Sequence, residues 1–163
     1  MRRSRFLYAL LAGLTMTSTG CGYNRLQTLD EQINQAKGQI KVQLQRRADL
    51  IPNLVATVKG VTQQEDTVFI ALAQARAGQL SSAAKTNDVS AMSQANAALN
   101  APLGRLLAIA EAYPTLQSSS NFKALQDELA GTENRVAVAR TDYNTAVATF
   151  NSKIRQFPTN ITA

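Results

Sequence analysis

The chain has 163 residues, enough for one continuous hydrophobic core but not for two sizeable domains. Its 45% apolar share is weighted towards Ala, Trp is absent and aromatics make up 6%, a composition that disfavours pleated strands and leans towards all-α. With no His and one Cys, the usual general bases, thiol nucleophiles and zinc ligands are missing, so neither a catalytic site, a cofactor nor a metal centre is expected.

Arg2, Arg3 and Arg5 precede an uncharged run from Phe6 to Gly20 that ends on small residues and Cys21, the pattern of an export signal. Fifteen helical residues would cover about 22 Å against a hydrocarbon core of roughly 30 Å, so the run is short for a membrane span. Ser18-Thr19-Gly20-Cys21 resembles the lipobox of bacterial lipoproteins, with Ser18 where that pattern prefers Leu. The expectation is therefore a signal peptide over 1–20 and a lipid on the Cys21 thiol, with 21–26 as tether. An uncleaved signal anchor, with Cys21 an idle thiol, is the alternative. Loss of the signal takes three of 17 basic residues and leaves 14 against 11 acidic ones, or +3. So small and dispersed an excess does not point to nucleic acid.

From Leu26 the apolar positions advance by three and four: Leu29, Ile33, Ala36, Ile40, Leu44, Ala48, Ile51, Val55 and Val58. This predicts one amphipathic helix of roughly 35 residues. Pro52 should kink it near Asp49 to Pro52, with helix continuing to about Lys59 and Gly60 marking the end or a second bend. A second helix is expected from about Thr62 to Leu80, then a loose connection over Ser81 to Asp88. The third runs from about Asp88 to Ala112 with Pro102 disturbing its middle. Tyr113-Pro114 stops it, and Ser118, Ser119 and Ser120 supply a polar turn and a cap. Phe122, Leu125, Leu129, Val136, Tyr143, Val147, Phe150 and Ile154 then stripe a last helix of roughly 33 residues, ended by Phe157-Pro158. Short connections between striped helices predict an all-α, antiparallel four-helix bundle over 27–158, with a long, kinked first helix, a long last helix and a tail over 159–163.

The run Val42-Gln-Leu-Gln-Arg-Arg-Ala-Asp-Leu-Ile-Pro-Asn-Leu-Val-Ala-Thr-Val-Lys59 resembles the signature of the LemA family of bacterial proteins. The resemblance continues through Leu103 to Ala108, Glu111 to Pro114, Asn121-Phe122, Leu125-Gln126, Thr132 to Arg135, Tyr143-Asn144 and Phe157-Pro158. It implies a helical bundle behind a membrane-attached N-terminus and carries no established catalytic site. Members commonly begin with a single transmembrane helix, where this chain has a lipobox-like end.

Arg46, Arg47, Asp49 and Asn53 lie within two turns around Pro52, where a proline frees backbone carbonyls. Arg47 is suited to pair with Asp49 or Glu133, and the Asn53 amide to satisfy what Pro52 leaves open. Glu133, Asn134 and Arg135 are followed by Arg140, Tyr143 and Asn144, with Glu133, Arg140 and Asn144 on one flank of the last helix. These residues read either as a polar network that sets helix register or as a groove for a peptide or anionic headgroup. Glu65-Asp66, Asp127-Glu128 and Glu111 offer carboxylates for a hydrolase, yet neighbours on a helix point about 100° apart and more often form a solvated face.

The expected function is a membrane-anchored binding or scaffold protein of the bacterial cell envelope with no catalysis. Its partners would be the membrane, through the anchor, and another envelope protein. A self-associating, membrane-shaping element is the alternative, and a carboxylate-dependent hydrolase a third reading. The expected location is the periplasmic side, with Gly22 after the Cys favouring the outer membrane over the inner.

Overall fold

The computed structural model describes residues 20–61, 66–85 and 88–156. Five helices account for nearly all of them, with no strand among the described residues: α1 (Gly20–Lys59), α2 (Asp66–Lys85), α3 (Val89–Glu111), α4 (Pro114–Ser118) and α5 (Ser120–Ile154). The all-α bundle expected from periodicity is what forms. No helix among the described residues is long and apolar enough to cross a membrane. The expected signal run, lipobox residues Ser18 and Thr19, and the Phe157-Pro158 stop lie outside the described residues.

The described chain falls into two compact units, Lys37–Arg140 and the segments up to Ala36 and from Thr141, to both of which α1 and α5 contribute. In the larger unit, Arg46 meets Glu128 while Gln43 meets Arg135, so α1 and α5 run antiparallel. Likewise Ala48 meets Arg76 and Lys59 meets Phe69, which sets α2 antiparallel to α1. The core gathers Ile51, Leu54 and Val58 from α1, Phe69 and Leu72 from α2, Leu99, Leu103, Leu106 and Ala110 from α3, Leu116 from α4, and Phe122 and Leu129 from α5. Each such Leu, Ile or Phe contributes about 1.5–3 kcal/mol by leaving water. The smaller unit is thinly covered: Leu29 is buried, Leu26, Ile33, Tyr143, Val147, Phe150 and Ile154 are half-buried, and most other positions are exposed.

Helix boundaries follow local chemistry. At the end of α1, Gly60 N–H donates to the Ala56 carbonyl (3.1 Å) and Val61 N–H to that of Val58 (3.0 Å). Asp88 is the N-cap of α3, its Oδ1 accepting from Ser90 N–H at 2.8 Å. Tyr113 is extended (φ −117°, ψ 99°), as a residue before proline prefers, and Pro114 starts α4 with the φ a first helical residue needs. Ser119 interrupts the helix again, and its Oγ accepts from Phe122 N–H at 3.3 Å.

Three expectations are corrected. Ser81 to Lys85 is not loop but the last turn of α2, because Ala83 reaches the core at 6% exposure and repays the weak helix preference of Ser81 and Ser82. The connection after Tyr113 contains a helix of its own, α4, which buries Leu116. On α1, Leu54 rather than Val55 is fully buried, Val55 being only partly covered. Pro102 lies inside α3, which runs on to Glu111.

Candidate functional site

Arg47 is the one buried charge among the described residues, at 4% exposure. Four helices of the larger unit build its surroundings. From α3, Asn96 Oδ1 accepts from Arg47 Nη1 at 2.8 Å and Asn100 Oδ1 from Nη2 at 3.0 Å. From α5, Glu133 turns Oε2 inward to form an ion pair with Nη1. From α2, buried Gln79 donates its amide to the same Asn96 oxygen at 3.2 Å. Burial lowers the Arg47 pKa from its ordinary value, since the charged guanidinium has lost water. Hydrogen bonds to a buried charge are stronger than neutral ones, so this clasp fixes how the four helices meet. Arg47 Nε and Gln79 Oε1 find no hydrogen-bond partner among the described residues.

A second polar junction lies outside the clasp. Glu128 accepts from Arg46 Nη2 and Arg135 Nη2, both at 2.8 Å, and Arg135 Nε donates to Gln43 Oε1 at 3.2 Å. Arg46 is mostly exposed, so this junction aligns α1 and α5 with modest energy.

Pro52 removes the N–H that would have bonded to the Ala48 carbonyl four residues earlier. Arg76 from α2 supplies the donor instead, Nε to Ala48 O at 2.7 Å, with Nη2 at 3.8 Å from Asp49 Oδ1. Asp49 also accepts from the Gln45 amide at 3.0 and 3.2 Å. The expected Asn53 role is therefore filled by Arg76. Asn53 is exposed, and its carbonyl accepts from Thr57 Oγ1 at 2.8 Å, an ordinary bond along the same helix.

Of the residues singled out in the sequence, Arg46, Arg47, Glu133 and Arg135 are thus engaged across helices, Arg47 with Glu133 rather than Asp49. Asn134 and Arg140 are exposed on α5, and Tyr143 and Asn144 belong to the other unit, Asn144 exposed. Of the expected flank, Glu133 is half-buried, while Arg140 and Asn144 are exposed. Asn96, Asn100, Gln79 and Arg76 were not foreseen. A polar residue inside an apolar stripe is their sequence signal, and Asn96 carries it, falling in the row of Met92, Leu99 and Leu103.

Two grooves mark the surface of the larger unit. One, of about 260 Å³, lies over the clasp between α1, α3 and α5, with Arg47, Asn100 and Glu133 at its polar side and Leu103, Leu107 and Leu129 opposite. The other, of about 400 Å³, lies between α1 and α2, walled by Ile51, Pro52 and Val55 against Phe69, Ile70 and Ala73, with Lys59, Asp66 and Arg76 at its rim. Lys59 Nζ stands 4.7 Å from the centre of the Phe69 ring, a cation–π contact that holds the ammonium at the edge. Among the described residues, no group of three His, Cys, Asp or Glu side chains is placed to hold a metal.

Two magnetosome proteins of Paramagnetospirillum magneticum, MamQ 1 and MamQ 2, are each 29% identical to the chain over 163 aligned positions, covering 86% of this chain and 60% of theirs. Magnetosome protein MamQ of Magnetospirillum gryphiswaldense is 27% identical, covering 83% of this chain and 58% of its own. The chain thus spans about 60% of the length of these curated relatives. Residues 36–163 match the model of the LemA family, taking in the clasp and the α1/α2 groove together, and the chain belongs to that family.

Proposed function

We propose that this chain is a membrane-anchored helical binding and scaffold protein of the bacterial cell envelope, acting without catalysis. The observation that carries the reading is the α1/α2 groove. Its first wall, Ile51, Pro52, Val55 and Lys59, comes from the stretch that bears the family signature, and its lining is mainly apolar. Arg46, Arg47, Glu133 and Arg135 are engaged across helices, which suits a rigid support for a recognition surface. Similarity to proteins named for the magnetosome supports a place among the components of a cellular assembly.

The anchor in this reading is an acylated Cys21, supported by the lipobox-like Ser18 to Cys21 and by the single thiol of the chain. Each buried methylene contributes about 0.8 kcal/mol, so more than one acyl chain holds a protein firmly on a bilayer. The bundle would then work on the periplasmic side, at the outer membrane. A photoreactive side chain at Ala73, exposed on the groove lip, is expected to capture a discrete protein in intact cells, whereas the same group at Asn134 captures none. Equal silence at both positions contradicts the binding reading.

A further inference from the structure

The outward side of α2 carries exposed charge only at its two ends, Asp66 and Lys85. Asp66, Arg76 and Lys85 are the only charged residues of this helix. Phe69 and Leu72 point into the core, at 5% and 0% exposure, yet Ile70 stands 56% exposed, with Ala73 and Ala77 exposed on the same side. Among the small and polar side chains that share this face, Thr67, Gln74 and Ser81, Ile70 is the one large apolar projection. Ile70 and Ala73 also form the α2 lip of the groove.

We infer that this groove seats a second copy of the chain, packed about a two-fold axis so that Ile70 of each copy enters the groove of the other. A two-fold interface uses the same patch on both subunits, so that patch must contain both halves of every contact. This one does. The exposed Ile70 side chain stands beside an apolar cavity of about 400 Å³, a projection and a recess in one surface. The rim carries both signs: Arg76 is taken up by the Ala48 carbonyl and Asp49, which leaves Lys59 on the α1 side and Asp66 on the α2 side, so two copies can set each Lys59 against the opposing Asp66. An anionic lipid surface would meet Asp66 as a like charge, and a partner of a single sign would leave either Lys59 or Asp66 opposed by its own kind. Asp66 lies one helical turn before Ile70, which places the charge pair at the edge of the apolar contact rather than within it, where desolvation would cost more.

The inference rests on the binding reading of the groove, and the test separates the two. The full chain is expressed with its own N-terminus, and membranes are treated with a mild oxidant. Because Cys21 is the only native thiol, the unaltered chain reports background. Ile70→Cys is expected to give a reducible species of twice the chain mass, while Val42→Cys, equally exposed at 58% but outside the groove, does not. In the Ile70→Cys background, Lys59→Asp and Asp66→Lys should each lower the yield roughly fivefold, and the two together should restore it, since swapped signs again attract. Neither position is buried, so the fold is not at stake. Failure of Ile70→Cys to dimerise, equal dimerisation of Val42→Cys, or a double swap weaker than either single change each overturns the two-copy packing. An Ile70→Cys adduct of another mass also overturns it, while leaving the binding reading intact.

Discussion

Arg76 Nε donates a 2.7 Å hydrogen bond to the carbonyl oxygen of Ala48, the atom that Pro52 leaves without its helical donor. The break in one helix is thereby mended by a side chain from the next, and the same guanidinium leans towards Asp49. A proline within α1 is tolerated because α2 is docked, so the groove wall and the packing of α2 depend on each other.

Arg76→Ala is expected to destabilise the chain by about 1–3 kcal/mol, the cost of leaving a part-buried carbonyl without a donor. In a Pro52→Ala background the backbone N–H returns and the cost should shrink by more than half. Urea unfolding of the four variants in this cycle measures the coupling. Equal costs in both backgrounds would mean that Arg76 acts through packing alone.

The clasp should respond asymmetrically. Arg47→Ala removes the centre from Asn96, Asn100 and Glu133 together and is expected to cost about 2–5 kcal/mol in lost packing and hydrogen bonds. Glu133→Gln should cost less than half as much, because that side chain is 46% exposed and water takes over part of its role. A Glu133→Gln loss as large as that of Arg47→Ala would show that the ion pair, not the Asn pair, holds the guanidinium.

Burial lowers the Arg47 pKa below its unfolded value, so the unfolded chain holds that proton more tightly. The resulting penalty is present in full below the folded pKa and is relieved as pH rises towards the unfolded one, so stability rises with pH in that window. The window lies beneath the ordinary arginine value, at the alkaline end. The stability difference between the unaltered chain and Arg47→Met should therefore stay constant between about pH 6 and 9. A difference that changes within this range, followed by urea midpoints, would contradict the assignment.

Asp88→Ala should cost about 0.5–2 kcal/mol by removing the cap on α3, with Asp88→Asn retaining most of the stability. Amide hydrogen exchange confined to the first turn of α3 would locate the loss. No change in protection at Ser90 would count against the cap.

The stripes of α1, α3 and α5 were readable because each helix is long enough to repeat its period several times, so Leu44, Leu103 and Leu129 could be assigned inward from spacing alone. Periodicity does not choose between Leu54 and Val55, which lie at steps of three and four from Ile51; packing against neighbouring helices decides it. The five residues of α4 are too few to show a period. Glu133 was foreseen as a partner for Arg47 because opposite charges advertise themselves. The neutral Asn96, Asn100 and Gln79 do not, and the sequence separation of 49 between Arg47 and Asn96 hides their meeting. Arg76 was missed for the same reason: its acceptor is a backbone atom on another helix, and backbone groups leave no mark on a residue pattern.

The proposal that most needs a direct test is that this bundle works at a membrane through a lipid covalently attached to Cys21. Mass spectrometry of the N-terminal peptide from the cell-derived protein tests it most directly. The account predicts a chain that begins at Cys21 and carries a diacylglyceryl group on the thiol. An intact Met1 with an unmodified Cys21 would contradict it.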